Sequence, residues 1–208
     1  MSGLEKALIE MMAEVIEHRG TAADGHVGRV RLFVRILLEA LEASGFYAEE
    51  MSEIDIDIAA DASQLHDVGK IAIRDSILLK SGSLTDVEFE LVKNHTALGG
   101  KIVGEMLLKV PDSKLLQYAK VIAESHHERW DGGGYHKGLK GREIPLLGRV
   151  IAIADVYDAL VTKRPYKDAF SHAKAVEIIK NDGGVHFDPA LVRLFLDVQG
   201  KIAEAISS

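Results

Sequence analysis

Apolar residues recur every three to four positions along most of the chain, which is the spacing of amphipathic helices. This pattern predicts a first helix over residues 4–16, a second over 30–41 and a third over about 54–65. The second helix is expected to end near Ser44 and Gly45. The first half of the chain is therefore predicted to be helical.

The same spacing continues in the second half of the chain. Thr85 and Glu88 stand in capping-box spacing, which predicts the start of a helix that carries apolar residues as far as Met106. Another helix is predicted from Ser113 to about His127.

Two further helices complete the pattern. The segment RVIAIADVYDALV, residues 149–161, is apolar almost all round, as is typical of a central buried helix. A last helix is predicted after Asp188, with Pro189 as its first residue. The sequence thus predicts an all-α fold, a single-domain helical bundle over 1–208. A long glycine-rich loop spans 128–148, and small β pieces are compatible with it.

Composition and charge narrow the class of protein. With 208 residues, 47% hydrophobic and 27% charged, the chain can bury a sizeable core. A net charge of -7 argues against binding to DNA or to anionic membranes. There is no signal-peptide pattern and no apolar span, so a cytoplasmic protein is expected. There is no cysteine, so any metal must be held by His, Asp or Glu.

Several polar residues fall on the apolar faces of the predicted helices. One such histidine alone is more often a hydrogen-bonded core residue than a metal ligand. Six inward-facing positions are different, because burying them unpaired costs several kcal/mol each and a bound cation removes that cost. The pattern therefore favours a polynuclear metal site over structural histidines. The six positions are His26, His66, Asp67, His95, His126 and Asp155.

The segment HDVGK, residues 66–70, sharpens this prediction. His66 and Asp67 can offer one nitrogen and one bridging carboxylate to a pair of metals, and Lys70 lies close enough to neutralise a phosphate oxygen. The segment also has a purely structural interpretation, in which a helix ends at Gly69 and Lys70 interacts with the dipole at its C-terminus. This interpretation is compatible with a metal site.

At this point the chain resembles a known family along nearly its whole length. The segments HDVGK, KNHTALGG, HHERWDGGGY, IPLLGRVIAIADVYDALVTKRPYK and FDPALV are similar to the successive signatures of the HD-GYP domain. That family is a branch of the HD metal-dependent phosphohydrolases and hydrolyses cyclic di-GMP. The resemblance implies a helical bundle of the HD phosphohydrolase type.

The resemblance also implies roles for individual residues. Asp67 takes the place of the carboxylate that bridges two metals, and Lys70 is the lysine of the HDxGK signature. Substrate contacts are implied for Tyr135, Arg164 and Lys167, the last two at the phosphates. The implied metal ligands are His26, His66, Asp67, His95, His126, His127 and Asp155.

Two departures from the family pattern stand out. Ala22 and Gly20 occupy positions where many members have a glutamate and an aspartate, and that glutamate helps to hold a third metal. Because alanine has no ligand atom, two metals are expected rather than three, and Asp24 could substitute only by local rearrangement. His136 stands where the GYP signature has proline, so a more mobile loop and a less firmly placed Tyr135 are expected.

Other polar residues are predicted to play supporting parts. Asp158 is expected to organise its helix or to support a ligand, and Glu128 and Asp131 are expected to hold the loop. The three remaining histidines are not expected to bind metal. They are His18, His172 and His186.

The resulting mechanism uses two divalent metals about 3.5–4 Å apart that share a hydroxide and bind the phosphodiester. The resemblance favours iron or manganese, while zinc, cobalt and nickel stay open. The expected product is linear pGpG, and further cleavage to GMP stays open. Two alternatives remain. One is a weakly active receptor or adaptor, and the other is a phosphohydrolase for another cyclic dinucleotide or a guanosine polyphosphate.

The partners that the sequence implies follow from this interpretation. A cyclic dinucleotide is the expected ligand. Domains of this family usually follow a sensor or receiver module, and a protein partner of the diguanylate cyclase type is also open. The apolar stripe of the first helix is compatible with a homodimer or with packing into the bundle.

Overall fold

The computed structural model describes residues 3–19, 25–163 and 168–206, and the regular elements within these ranges are helices. In chain order the helices are α1 Gly3–Arg19, α2 His26–Ser44, α3 Ala48–Ser52, α4 Ile56–Ala62, α5 Asp75–Leu78, α6 Asp86–Lys93, α7 His95–Leu107, α8 Lys114–Ser125, α9 Leu146–Val161, α10 His172–Asn181 and α11 Pro189–Ile206. Short 3₁₀ turns lie at Ser63–Leu65, Val68–Ala72 and Gly141–Glu143.

The all-α prediction is confirmed. No strand forms within the described ranges, and an isolated bridge pairs Gly183 with Phe187, outside the 128–148 loop. Among the described helices, none is both long enough and apolar enough to span a bilayer.

Helices α2 and α9 form the centre of the bundle. The apolar face of α2 is buried as its spacing predicts, and α2 packs against α4, α9 and α11. Helix α9 is buried over most of its circumference, and its other face meets α8 and α10. Phe33 of α2 packs edge-on against Tyr157 of α9, and Tyr157 against Phe195 of α11. This core holds the helices on which the polar residues sit.

The helix predicted from Thr85 to Met106 is in fact two helices, α6 and α7, which meet at Asn94. The capping box of Thr85 and Glu88 is present as predicted. The break occurs because side chains take the last carbonyls of α6: His95 Nδ1 donates to the Val92 carbonyl and Thr96 Oγ1 to the Lys93 carbonyl. His95 therefore becomes the first residue of a new helix.

Helix α10 was not predicted. Ser171 caps it by accepting from the Lys174 amide, and it buries only Ala175 and Ile179 against the core. Two buried positions in a polar segment give too weak a periodic signal to predict a helix.

A close approach at Gly69 joins the 3₁₀ turn Val68–Ala72 to α7. A Cβ atom on Gly69 would lie 1.9 Å from the His95 carbonyl oxygen, so no other residue fits without movement of the backbone. This contact brings the segment that starts with Asp67 against the start of α7.

Candidate metal centre

Most of the predicted ligands lie where helices begin or end. His26 is the first residue of α2, His95 the first of α7, and His126 follows α8 directly. His66 and Asp67 lie between the two 3₁₀ turns Ser63–Leu65 and Val68–Ala72. Such positions let side chains from separate helices converge in one place.

The structure brings these residues together in two neighbouring groups. The ligand atoms of His26, His66 and Asp67 all lie within 4.8 Å of one another, and so do those of His95, His126 and His127. Asp155, from the middle of α9, joins the first group: its Oδ1 is 3.6 Å from His26 Nε2. All seven predicted ligands therefore lie in one site.

Asp67 lies between the two groups. Its Oδ1 is 3.3 Å from His95 Nε2 and 3.8 Å from His126 Nε2, while its Oδ2 is 3.3 Å from His66 Nε2. One carboxylate oxygen therefore faces each group. This is the arrangement that a bridging carboxylate needs.

Oxygen Oδ1 of Asp67 is buried and has no hydrogen-bond donor among the described residues. A buried, unpaired carboxylate oxygen is costly, and native proteins rarely leave one without a donor or a cation. The carboxyl is nonetheless ionised. Burial alone would raise its pKa, but Lys70 and His66 outweigh burial and hold the pKa of Asp67 well below its usual range.

The histidine rings are turned so that their Nε2 atoms point into the site. Nδ1 of His66 donates to the Ser63 carbonyl, and Nδ1 of His126 to the Ile122 carbonyl, as His95 does at Val92. In the neutral ring this leaves Nε2 as a lone-pair acceptor.

These acceptors face one another across each group. Nε2 of His95 lies 3.1 Å from Nε2 of His126, and Nε2 of His26 lies 3.4 Å from Nε2 of His66. Two lone pairs cannot hydrogen-bond to each other, so a proton or a cation must lie between them. A set of imidazole and carboxylate donors without thiolates fits divalent manganese, iron, cobalt, nickel or zinc. The residues present thus fit a metal centre.

Protonation differs between the groups. Burial and the neighbouring imidazoles lower the pKa of His127 well below its usual range, and burial lowers the pKa of His95 to about 4. Burial also acts to lower the pKa of His66, but the charge of Asp67 outweighs it and raises that pKa to about 9. In the absence of a cation, His66 therefore carries the positive charge that Asp67 attracts.

Asp158 binds the Nδ1 side of the His26 ring, opposite the Nε2 atom that points into the site. Its Oδ2 accepts from His26 Nδ1 at 2.7 Å, and its Oδ1 accepts from Arg29 Nε at 2.6 Å. Asp158 is buried, which raises its pKa, but its bonds to His26 and Arg29 lower that pKa overall. The geometry agrees with the supporting part predicted for Asp158, in which a carboxylate fixes the tautomer and direction of a ligand ring.

Lys70 pairs with oxygen Oδ2 of Asp67. Its Nζ lies 2.5 Å from Asp67 Oδ2, and its side chain is about one-quarter exposed. It therefore lies at the edge of the site, where it can also face an anion.

The glycine-rich loop folds back over the second group of histidines. The ring of Tyr135 is tilted over that of His127, with centroids 4.9 Å apart, and its amide donates to the His127 carbonyl. A Cβ on Gly134 would lie 2.4 Å from the Arg129 amide nitrogen, so this return needs glycine. Burial and the carboxylates of Asp67 and Asp155 raise the pKa of Tyr135, so the phenol stays protonated at neutral pH.

Two acidic residues hold the loop, as predicted. Glu128 is buried, and its two oxygens accept from the Lys137 and Leu139 amides at 2.8 and 2.9 Å. Asp131 accepts from the Gly133 amide at 2.8 Å.

Sequence reasoning missed Glu17. Its Oε1 accepts from the backbone amide of His26 at 2.6 Å and so caps the start of α2 from the neighbouring helix. Gly25, which precedes α2, has no side chain to do this. No local pattern links residues nine positions apart, so the contact could not be found from spacing.

The three histidines that were not expected to bind metal lie outside both groups. His18 is exposed and bonds to the Glu14 carbonyl, His172 bonds to Tyr157, and His186 stacks on Phe187. Several predicted positions cannot be placed, because they lie outside the described residues. They are Gly20, Ala22, Asp24, Arg164 and Lys167.

Residues 10–191 match the family described as the HD domain. The chain belongs to the HD domain family. Its relatives confirm the resemblance to the HD-GYP branch. Over 93% of its own length, the chain is 44% identical to a cyclic di-GMP phosphodiesterase of Vibrio cholerae. It covers 39% of that protein. It is 39% identical over 95% of its length to a cyclic di-GMP phosphodiesterase of Thermotoga maritima, of which it covers 50%.

A further relative has a different name. The HD domain is 40% identical over 92% of its length to a 3'3'-cGAMP-specific phosphodiesterase of V. cholerae, of which it covers 34%. The chain therefore spans half or less of the length of these relatives. The fold also matches the crystal structure of a cyclic GMP-AMP specific phosphodiesterase of V. cholerae, with a TM-score of 0.54 over 94% of this chain and 53% of that one. At 18% identity this match shows the fold alone.

Proposed function

We propose that the protein is a metal-dependent phosphodiesterase that hydrolyses cyclic di-GMP to linear pGpG. The observation that carries the proposal is Asp67, whose two oxygens face two groups of ligands and whose Oδ1 has no hydrogen-bond donor among the described residues. The names of the relatives from V. cholerae and T. maritima supply the substrate. Their similarity extends over 93% and 95% of the chain.

The residues would hold two divalent cations. His26, His66 and Asp155 would hold one, His95, His126 and His127 the other, and Asp67 both. Such cations supply Lewis acidity, which lowers the pKa of a bound water and offsets the charge of the phosphodiester. Iron or manganese is proposed, with zinc, cobalt and nickel as the alternatives that the same donors accept.

The chain's own residues prepare the site for this chemistry. The low pKa values of His95 and His127 keep both rings neutral at neutral pH, so their lone pairs are free for ligation. Asp67 is ionised and Lys70 lies on its oxygen Oδ2. Lys70 is proposed to turn from Asp67 to a phosphate oxygen when substrate enters.

Tyr135 is proposed to close over the substrate. Its ring lies against His127, and its phenol stays protonated and can donate a hydrogen bond. Arg164 and Lys167 are proposed to neutralise the remaining phosphate charge, as their match to the HD-GYP signature implies.

The test is direct. The purified protein is loaded with iron(II) or manganese(II) under anaerobic conditions, incubated with cyclic di-GMP, and its products are separated by chromatography. Appearance of pGpG is expected. Binding of cyclic di-GMP without any product would instead support the alternative of a weakly active receptor.

A second substrate has a specific observation in its favour. The relative named as a 3'3'-cGAMP-specific phosphodiesterase is 40% identical, close to the values for the cyclic di-GMP enzymes. Measuring kcat/KM for cyclic di-GMP and 3'3'-cGAMP on one metal-loaded preparation decides between them. A higher value for 3'3'-cGAMP would overturn the assignment of cyclic di-GMP.

Two cations rather than three are proposed because Ala22 offers no ligand atom. Metal analysis of the wild type is expected to give a maximum of two per chain. Replacing Ala22 with Glu is expected to raise that number toward three. An unchanged count in the variant would show that this side chain is not what limits the site.

A homodimer through α1 is also proposed. Ile9, Ala13 and Ile16 face the core, but Leu8, Met11 and Val15 form a second apolar stripe that is about half exposed. Their 3–4 spacing is that of a coiled-coil seam. Sedimentation of wild type and of Met11→Glu tests this: a dimer that becomes a monomer supports it, and a monomeric wild type overturns it. Cytoplasmic location and a sensor or cyclase partner remain predictions.

A further inference from the structure

His136 makes a contact that its position in the sequence did not suggest. Its Nδ1 lies 3.0 Å from Oγ1 of Thr96, in the first turn of α7. Thr96 is fully buried, whereas His136 lies on the exposed loop. The residue that was expected to loosen the loop therefore reaches a rigid part of the bundle.

The direction of this hydrogen bond follows from the protons available. The hydroxyl of Thr96 donates to the Lys93 carbonyl at 3.0 Å. A threonine hydroxyl has one proton but two lone pairs, so toward His136 it must accept, and His136 Nδ1–H donates. Thr96 thus links His136 to the end of α6 and the start of α7.

The bond reaches a different helix from the backbone hydrogen bonds that hold residues 135–139. Tyr135 is held through its amide by His127, and Lys137 and Leu139 are held by Glu128, all at the end of α8. The bond to Thr96 adds an anchor on α7. The ring of Tyr135 faces His95 of the same helix, with centroids 6.4 Å apart, so the bond to Thr96 holds the backbone on the side where the ring lies.

We propose that His136 is a positioning residue, which fixes Tyr135 over the group formed by His95, His126 and His127 through its hydrogen bond to Thr96. The bond takes the place of the backbone constraint that proline gives in the GYP signature. Its effect on catalysis rests on the proposed function, but its effect on the loop does not.

The first experiment measures the loop itself. Amide hydrogen exchange of Tyr135, Lys137 and Leu139 is followed in the metal-loaded protein, with fluorescence anisotropy of Trp130, the chain's one tryptophan, as a second readout. His136→Ala is expected to speed exchange of the Tyr135 amide about five- to tenfold, as expected for the loss of one hydrogen bond. His136→Pro is expected to restore slow exchange.

Variants of Thr96 supply the matched controls. Thr96→Val keeps the shape but removes the hydroxyl, and is expected to speed exchange as His136→Ala does. Thr96→Ser keeps the hydroxyl and is expected to behave as the wild type. The double variant of His136→Ala and Thr96→Val is expected to be no faster than either alone, because both remove the same bond. Metal content is measured in each, since Thr96 adjoins His95.

The second experiment separates positioning from chemistry. His136→Ala is expected to raise KM for cyclic di-GMP about five- to tenfold with a smaller change in kcat, because Tyr135 is less firmly placed while the candidate ligands stay unchanged. If the wild type cleaves no cyclic dinucleotide, the proposed function fails while the exchange data still decide the positioning. Unchanged exchange in His136→Ala, or additive effects in the double variant, overturns the inference.

Discussion

Oxygen Oδ1 of Asp67 and Nε2 of His95 lie 3.3 Å apart, and in the metal-free protein neither has a proton to share. The carboxylate is ionised, and the His95 ring carries its proton on Nδ1, where it donates to the Val92 carbonyl. Two buried acceptors that face each other destabilise the fold unless a cation separates them. The arrangement therefore lowers the stability of the metal-free protein and favours the binding of a cation.

Removing the carboxylate of Asp67 tests this organisation. Asp67→Ala is expected to lose most of the bound metal, because both groups of ligands lose the oxygen that they share. Metal content after purification and dialysis measures the effect. The control is Asp57→Ala, which removes an exposed carboxylate that pairs with Arg35 and should leave the metal content as in the wild type. Full retention of metal by Asp67→Ala would contradict the assignment.

Asp158→Asn tests the orientation of His26. The amide keeps the size of the side chain but loses the charge that holds both His26 Nδ1 and Arg29. Loss of such a supporting group is expected to weaken metal binding about 10–100-fold. Competition with a chelator of known affinity gives the value. Asp168→Asn, at an exposed pair with Lys163, is the matched control. Equal affinities for the two variants would show that Asp158 does not support the ligand.

Much of the fold could be predicted from spacing alone. The helical periodicity of α2 and α9 is strong because each buries a wide apolar face at the centre of the bundle. The break at Asn94 could not be predicted in this way. It depends on side chains of His95 and Thr96 competing for carbonyls, and both α6 and α7 keep a helical pattern on either side.

The convergence of the candidate ligands was predictable for a different reason. Polar residues on apolar faces need a partner, and six of them at helical spacing pointed to a shared one. Which residues support the ligands is a matter of three-dimensional contact. Glu17 reaches the amide of His26 from α1, and Thr96 reaches His136 from α7. Neither contact leaves a pattern in the sequence.

The stability of the metal-free protein is expected to depend on pH in two directions. In the unfolded chain a histidine has a pKa of about 6.5. In the folded protein the pKa of His66 is raised to about 9, so its contribution is complete below pH 6.5 and is lost as the pH rises to about 9. The pKa of His95 is lowered to about 4, so stability falls as the pH drops from 6.5 toward 4.

Thermal unfolding of the metal-free protein between pH 5 and pH 9 measures both effects. From these two groups the melting temperature is expected to be highest near pH 6.5. His66→Gln should remove the decline on the alkaline side, because the side chain that loses its proton is gone. Metal loading should also remove it, because a ligating His66 is already neutral. A wild-type melting temperature that stays constant from pH 6.5 to pH 9 would argue against the raised pKa.

Glu128→Gln tests how far the loop depends on one buried carboxylate. Its two oxygens accept from the Lys137 and Leu139 amides, and the amide of glutamine can replace only one of them, since its NH₂ group would face an N–H. The buried amide left without an acceptor is expected to cost about 1–3 kcal/mol of stability. Denaturant unfolding measures this cost, and KM for cyclic di-GMP is expected to rise because Tyr135 lies two residues before Lys137.

The control is Glu143→Gln, at an exposed carboxylate of the same loop that accepts from the Lys140 amide and should change stability by less than about 0.5 kcal/mol. Equal stability of the two variants would mean that the turn from Tyr135 to Leu139 is held by its glycines and by Thr96 rather than by Glu128.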